Sequence, residues 1–331
     1  MKETIIGKDP QTAAALLEAG DLVAIPTETV YGLAADAGNE TAIRKVFAAK
    51  GRPAHHPLIV HTESIGVISR YVTGIPNTAK RLLEHFAPGP LTVLLQPNGR
   101  LSRLVSGGRP QVAFRVPAHP LALGVLRSAG FPLVAPSANP FTRTSPTHPM
   151  HVLRYFNRVI PYILDGGPCT VGIESTVVGF EDDTVVIYRA GAITAEEVAL
   201  VAGGAVRVKE SSGSGPAPGM HHLHYTPRTP LVLAEDFTGM EGAHPDKTGL
   251  LCFSGYRAGW PRENQFVLSM KGNLETAARN LYQGLHELDE RGLSLIVAET
   301  APPHGLGIAI NDRLRRAAGH SFQLQQQILN P

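Results

Sequence analysis

The chain has 331 residues, too long for one average domain and comfortable for two. With 43% hydrophobic residues and a mean hydropathy near zero, it is an ordinary globular sequence able to bury a core. Thirty basic residues against 28 acidic ones leave a net charge of +2, which argues against a dedicated nucleic-acid binder but leaves room for a local positive pocket. Cys169 and Cys252 lie far apart, in what read as different domains, and this excludes a disulfide framework. The opening MKETIIGKDP lacks the apolar stretch of a signal peptide. No apolar run approaches the ~18 residues of a membrane span, so a cytoplasmic protein is expected.

Residues 1–208 alternate strand-like and helix-like runs. A helix over 11–18, capped by Asp9 or Thr12, leads into a buried strand at 22–25. Asn39 precedes a helix at 41–49, where Ile43, Val46 and Phe47 form one stripe. Short apolar runs at 58–61, 91–96 and 111–116 read as strands, followed by a helix at 121–127 and strands at 133–136, 162–164, 175–178 and 185–188. A helix at 195–201 ends this part. Residues 209–230, containing ESSGSGPAPGMHHLHYTPRTP, are rich in Ser, Gly, Pro and His and read as an interdomain linker. Alternation resumes over 231–331, with strands at 231–234, 249–253, 266–268 and 295–298. Between the last two lies a helix at 273–291 carrying Leu274, Ala277, Ala278, Leu281, Leu285 and Leu288 on one face. The class is α/β.

Familiar catalytic signatures are missing. There is no Walker loop, no HExxH, no paired CxxC and no GxSxG elbow. Gly213, Gly215 and Gly219 sit in the linker and not between a strand and a helix, so they make no dinucleotide fingerprint. His221, His222 and His224 are read as solvated linker imidazoles in preference to a metal site.

Four segments hold more polar residues than strand ends need. PTETVYGLAAD (26–36) sets Thr27, Glu28, Thr29 and Tyr31 before a glycine turn at Gly32; caps and loops commonly use such residues. KGRPAHHPLIVH (50–61) places Lys50 and Arg52 at a helix C-terminus, ordinarily a solvated position, with His56 and His61 either side of a strand. In VAFRVPAHP, Arg115 interrupts an apolar strand and so needs an internal carboxylate or a bound anion. PLVAPSANPFTRTSPT (132–147) offers Ser137, Asn139, Thr142, Arg143, Thr144, Ser145 and Thr147 as donors. GIESTVV adds Ser175 and Thr176, and Arg189 closes a further strand. Cations and hydroxyls at successive strand ends suit a polyanionic ligand.

These segments, in this order and together with PGPLTVLL (88–95), YRAGAIT (188–194) and the linker's APGMHHLHYTP, resemble the YrdC-like family, specifically its long two-domain members that make threonylcarbamoyl-AMP. The resemblance implies an open, twisted mixed sheet around a concave positive cavity in 1–208, and a smaller Rossmann-like α/β domain in 231–331. It implies that Thr29, His61, Arg115 and Ser175 hold L-threonine, with Ala135 beside it. Lys50 and Arg52 would be the catalytic cations. Arg52, Ser137, Asn139, Ser145 and Arg189 would surround ATP, with His56 and Gln111 nearby, and Tyr225 in the linker would close over the nucleotide as part of a lid. The family often has asparagine where His56 stands, so an imidazole replaces an amide there.

The implied reaction joins L-threonine, bicarbonate and ATP, with magnesium on the phosphates, and feeds a threonylcarbamoyl-transferase complex acting on tRNA. Weak tRNA or RNA binding and no membrane partner are expected. Three other readings stand beside it, one of them a purely structural role, which would leave the strand-end cations unexplained. A double-stranded RNA-binding factor would use the same basic cavity. A carbamoyl-phosphate-using maturation enzyme would share the fold, but usually with zinc fingers that two cysteines do not supply.

Overall fold

A computed structural model describes residues 3–182, 184–209, 224–237 and 244–319. They fall into two compact units. The first comprises 1–141, 146–170 and 174–220; the second comprises 142–145, 171–173 and 221–331.

The first unit opens with β1 (Ile5–Gly7), α1 (Pro10–Glu18), β2 (Val23–Ile25), β3 (Gly32–Asp36), α2 (Glu40–Lys50), β4 (Ile59–His61), α3 (Ile65–Ile68), α4 (Asn77–Phe86) and β5 (Leu91–Leu95). It continues through α5 (Arg103–Ser106), β6 (Val112–Arg115), α6 (Pro120–Ala129), β7 (Leu133–Val134), α7 (Pro149–Phe156) and β8 (Tyr162–Leu164). β9 (Thr176–Glu181), β10 (Thr184–Arg189), α8 (Ala195–Ala202) and β11 (Val206–Val208) complete it. All eleven strands join one mixed sheet in the order β1-β8-β2-β3-β7-β4-β6-β5-β9-β10-β11.

Local chemistry explains where the helices begin. Asp9 caps α1 by accepting the backbone N–H groups of Gln11 and Thr12, with Pro10 in the first turn. Asn39 caps α2, and Gly51, in the left-handed region at φ 60°, stops it after Lys50. The α2 stripe Ile43, Val46 and Phe47 is buried in a core that also takes Leu33, Val60, Val93 and Phe114 from the sheet. Each such side chain contributes about 1.5–3 kcal/mol of burial.

Several elements were not legible in the sequence. β3 is GLAAD, two alanines and a glycine with little intrinsic strand preference. It is a strand because β2 and β7 pair with it on either side. Gly32, expected at a turn, is its first residue, and a Cβ there would come within 3.0 Å of the Ala135 Cβ. β1, β11 and helices α3, α4, α5 and α7 have no clear sequence signal, and the strand edges shift by one to three residues.

The second unit carries β12 (Leu231–Ala234), β13 (Thr248–Cys252), β14 (Gln265–Val267), α9 (Leu274–Asp289), β15 (Leu295–Glu299) and α10 (Leu306–Ala318). Its four strands are all parallel, in the order β12-β15-β13-β14. Asn273 caps α9, whose apolar face is buried as its spacing requires. α10 was missed, because its face mixes Asn311, Arg313 and Arg316 with Ile310 and Leu314, all of them buried. Both cysteines are free and buried. Among the described residues no helix is long and apolar enough to cross a membrane.

Close packing makes one glycine a sharp test of the sheet. A Cβ on Gly191 would fall 2.4 Å from the Ser175 carbonyl carbon and the Thr176 nitrogen, both backbone. Gly191→Ala is expected to lower the urea midpoint by an amount equivalent to about 1–3 kcal/mol. Gly74→Ala, whose Cβ meets nothing within 4 Å, should change stability by no more than about 1 kcal/mol.

Candidate active site

β4 and β6 run parallel with His61 opposite Arg115, so both side chains sit at the carboxyl ends of their strands. β5 begins beside that end of β6, because the antiparallel register pairs Val93 with Phe114. β9 runs parallel to β5 from Leu91 opposite Thr176. β10 returns to place Arg189 opposite Val177. One end of five neighbouring strands therefore gathers His61, Arg115, Thr92, Ser175 and Arg189.

Arg115 is only 4% exposed, and its guanidinium is answered within the unit. Nη2 donates to Glu28 Oε1 at 2.6 Å, Nη1 to Thr29 Oγ1 at 2.9 Å and Nε to the Gly89 carbonyl at 3.3 Å. Glu28 Oε2 also accepts the Ala118 backbone N–H at 3.1 Å. The carboxylate that the buried arginine required is thus Glu28. By sequence alone Glu28 reads as a loop or capping side chain. The available signal was an acid in the same short segment as three hydroxyls, but no spacing rule links it to a strand 87 residues away.

Ser175 is fully buried. Its hydroxyl lies 2.7 Å from Thr92 Oγ1 and accepts from Arg189 Nη2 at 3.0 Å. Arg189 also donates to the Ser175 carbonyl from Nη2 at 2.8 Å and from Nε at 3.2 Å. Thr92 was not singled out in the sequence; it is an inward-facing hydroxyl in an otherwise apolar strand.

A second group forms around the end of α2. Lys50 is not a solvated helix terminus but is 3% exposed, and Arg52 is 8% exposed. Lys50 Nζ donates to the Ser137 carbonyl at 2.5 Å and to the Asn139 carbonyl. Burial, then the neighbouring Arg52 charge, holds the Lys50 ammonium well below its usual range. Arg52 donates from Nη2 to the Pro57 carbonyl at 2.9 Å and lies 5.7 Å from the centre of the Phe141 ring. His56 packs edge-on against the same ring, 5.0 Å away. The loop that follows β7 is held in place by Leu33 N–H to the Pro136 carbonyl and Ala138 N–H to the Tyr31 carbonyl. Ala135 sits on this loop against Gly32.

The remaining expected residues lie elsewhere. Gln111 precedes β6, at the end opposite Arg115 and so about 13 Å along the strand. It lines a cavity of about 430 Å³ with Thr73, Gln96 and Phe180. Ser145 and Tyr225 belong to the second unit. There the Ser145 carbonyl accepts from His286 Nε2 at 3.1 Å. Tyr225 is 1% exposed, with a left-handed φ of 66°, and its ring lies 5.6 Å from that of Tyr282. His224 is buried against Tyr225, not solvated as the linker composition suggested. The lid expected around Tyr225, like His221 and His222, falls mostly outside the described residues.

The electrostatics follow from burial. Lys50, Arg52, Arg115 and Arg189 are four buried basic side chains, and Glu28 is the carboxylate paired with Arg115. His61 is held neutral, its pKa lowered to about 3 by burial first and by the Arg115 charge second. Its Nδ1 lies 3.2 Å from the Ile59 carbonyl, so Nδ1 carries the proton and Nε2 remains an acceptor. The Cys169 thiol is pushed up by burial and then by Glu28, which keeps it protonated and poorly nucleophilic. Such a site can bind and orient anions. It has no activated covalent nucleophile among the residues just described.

Residues 15–191 match the family described as telomere recombination, the Sua5/YciO/YrdC domain, and residues 193–319 match the threonylcarbamoyl-AMP synthase C-terminal domain. The chain is 39% identical to the threonylcarbamoyl-AMP synthase of Bacillus subtilis over 94% of each chain. It is 36% identical to that of Pyrococcus abyssi over 93% of each. The crystal structure of Pyrococcus abyssi Sua5 complexed with L-threonine superposes with a TM-score of 0.86 at 34% identity. That match covers 96% of this chain and 98% of the other.

The lowered pKa of His61 has a definite consequence for acid stability. Between the ordinary value of 6.5 and about 3, the unfolded chain binds a proton that the folded chain refuses, so this residue's contribution to stability falls as pH falls through that window. Urea midpoints for the native chain should drop more steeply from pH 6.5 to pH 4 than those of His61→Asn. The His61 imidazole nitrogens should show no titration by NMR between pH 5 and 8; a midpoint near 6.5 would remove the argument for a neutral ring.

Proposed function

The chain belongs to the Sua5/YciO/YrdC family in its two-domain, threonylcarbamoyl-AMP synthase form, and on that premise we infer that it converts L-threonine, bicarbonate and ATP into L-threonylcarbamoyladenylate and pyrophosphate. The observation that carries the chemistry is the set of four buried basic side chains in the first unit, Lys50, Arg52, Arg115 and Arg189, with Glu28 paired to Arg115. Every reacting partner of this reaction carries negative charge, so fixed cations and donors must offset their mutual repulsion.

In the proposed sequence, the threonine carboxylate takes the two guanidinium N–H groups of Arg115 that have no acceptor among the described residues. Thr29 and Ser175 supply hydroxyls, Ala135 lends backbone, and the Nε2 lone pair of His61 accepts from the amino acid. The free amine adds to the carbon of CO2 derived from bicarbonate, with water lost and a carbamate formed. One carbamate oxygen then attacks the α-phosphorus of ATP in line, and the bond to the bridging oxygen of pyrophosphate breaks. Lys50 and Arg52 act on the transferring phosphate, with Arg189, Ser137 and Asn139 placed for the other phosphate oxygens. Positioning and charge suffice, which is consistent with the lack of an activated nucleophile.

Magnesium fits this site as a companion of ATP. Glu28 is already committed to Arg115 and Ala118, and among the described residues no group of three His, Cys, Asp or Glu side chains could hold a metal. Magnesium would therefore be carried by the phosphates, where it neutralises charge on the leaving pyrophosphate. The domains are taken as 1–208 catalytic, 209–230 linker and 231–331 C-terminal. The adenylate is the first product of tRNA N6-threonylcarbamoyladenosine synthesis, and a transferase complex that modifies the tRNA adenosine would consume it.

Mass spectrometry of a reaction containing L-threonine, bicarbonate and ATP should show threonylcarbamoyl-adenylate and pyrophosphate. Hydrolysis to ADP or AMP without the adenylate would reject the reaction. Arg115→Ala should raise the threonine KM far more than the ATP KM, because a shielded charge-assisted contact is worth on the order of 2–4 kcal/mol. Equal losses for both substrates would place the threonine carboxylate elsewhere. Serine, which lacks only a methyl group worth about 1–3 kcal/mol in a fitted pocket, should be activated weakly but detectably. Serine turnover equal to that of threonine at low concentration would contradict a threonine-shaped site.

A further inference from the structure

The pairing of Glu28 with Arg115 raises a problem for a site that binds carboxylates. Both side chains are buried, at 8% and 5% exposure, and their closest atoms are 2.6 Å apart. An isolated buried guanidinium would take any small anion, including bicarbonate and phosphate. With Glu28 fixed beside it, an incoming carboxylate meets a negative charge as well as a positive one. A simple anion is therefore disfavoured at Arg115. An amino-acid zwitterion is not, because its ammonium group offsets Glu28 while its carboxylate meets Arg115.

Hydrogen-bonding capacity remains for both contacts. Of the five guanidinium N–H groups, three are used by Glu28, Thr29 and Gly89, which leaves two. Each Glu28 oxygen accepts one protein N–H, from Arg115 or from Ala118, and so retains a further lone pair. The Ala118 bond also ties the carboxylate to the backbone just beyond β6, so Glu28 is held from two directions. It is a fixed charge and not a mobile counterion.

We propose that Glu28 is a specificity-determining and positioning residue, which holds Arg115 in place and makes the site select a zwitterionic α-amino acid over simple anions. The inference rests on the reading that Arg115 receives the threonine carboxylate. Glu28 also sets the face of the guanidinium that remains free, since its bond and that of Thr29 occupy Nη2 and Nη1 in turn.

The test is calorimetric binding of three ligands to the full chain: L-threonine, 3-hydroxybutyrate (threonine without its amine) and threoninamide (threonine without its carboxylate charge). The native chain should bind threonine at least about tenfold more tightly than 3-hydroxybutyrate, as expected of a shielded charge contact. Glu28→Gln keeps an acceptor for Arg115 but removes the charge, and it should narrow that ratio by about tenfold or more, chiefly because 3-hydroxybutyrate binds better. Glu28→Asp, which keeps the charge, should retain the native preference. A role confined to structure would weaken both acids equally and leave the ratio unchanged, and that result overturns the proposal. If Glu28→Gln does not fold, the native chain still decides: 3-hydroxybutyrate binding as tightly as threonine, with threoninamide not binding at all, overturns it. Arg115→Ala separates the two readings. If it leaves threonine affinity intact, the placement of the carboxylate is wrong whatever Glu28 does.

Discussion

A guanidinium at the end of a buried strand is stable only if its charge is met inside the protein, and the organisation of the first unit follows from how Arg115 meets that requirement. Glu28 supplies the carboxylate from the loop after β2, Thr29 a hydroxyl from the same loop, and Gly89 a carbonyl from the segment before β5. Three separate stretches of chain are thereby tied to one side chain. Removing one partner from such a pair leaves an uncompensated buried charge, a penalty of about 3–5 kcal/mol. The loop 26–31 in turn receives the loop after β7 through the Tyr31 carbonyl, and that second loop supplies the carbonyls that hold Lys50. The electrostatic site and the loop scaffold are one network.

This network explains how the unit keeps several cations out of water without a matching number of acids. Lys50 and Arg52 are satisfied largely by backbone carbonyls, and so is Arg189, which folds back on Ser175. Carbonyl dipoles orient a cation without cancelling its charge, so the field remains available to an anionic ligand. His61 contributes the opposite property. Kept neutral by its burial and by Arg115, it offers an acceptor in a place where a second charged group would be costly.

The second unit is built on different principles. Its four parallel strands are covered by α9 and α10, and three of them, β12, β13 and β15, present their carboxyl ends to a cavity of about 810 Å³ lined by Glu235, Phe253, Glu299 and Arg315 among others. Asn311 clamps the loop after β15 by bonding both the N–H and the carbonyl of Ala301 at 2.8 Å. Tyr225 is held here by its neighbours: Thr144 donates to its carbonyl, and Arg313 lies 5.8 Å from its ring.

The sequence by itself determined the elements whose signals are local. Caps at Asp9 and Asn39, the α2 and α9 stripes, and most buried strands could be read because hydrogen bonding to the first turn and 3.6-residue periodicity act over a few residues. The ordered motifs also determined the family, and with it the reaction. Tertiary structure alone decided that β3 is a strand, since its alanines prefer nothing until β2 and β7 pair with them. It decided that Lys50 is buried, because the carbonyls that satisfy it come from residues 87 and 89 positions away. It also decided that Glu28 is the partner of Arg115. An ion pair forms wherever the fold brings opposite charges within reach, and no local pattern records which loop will pass over which strand end.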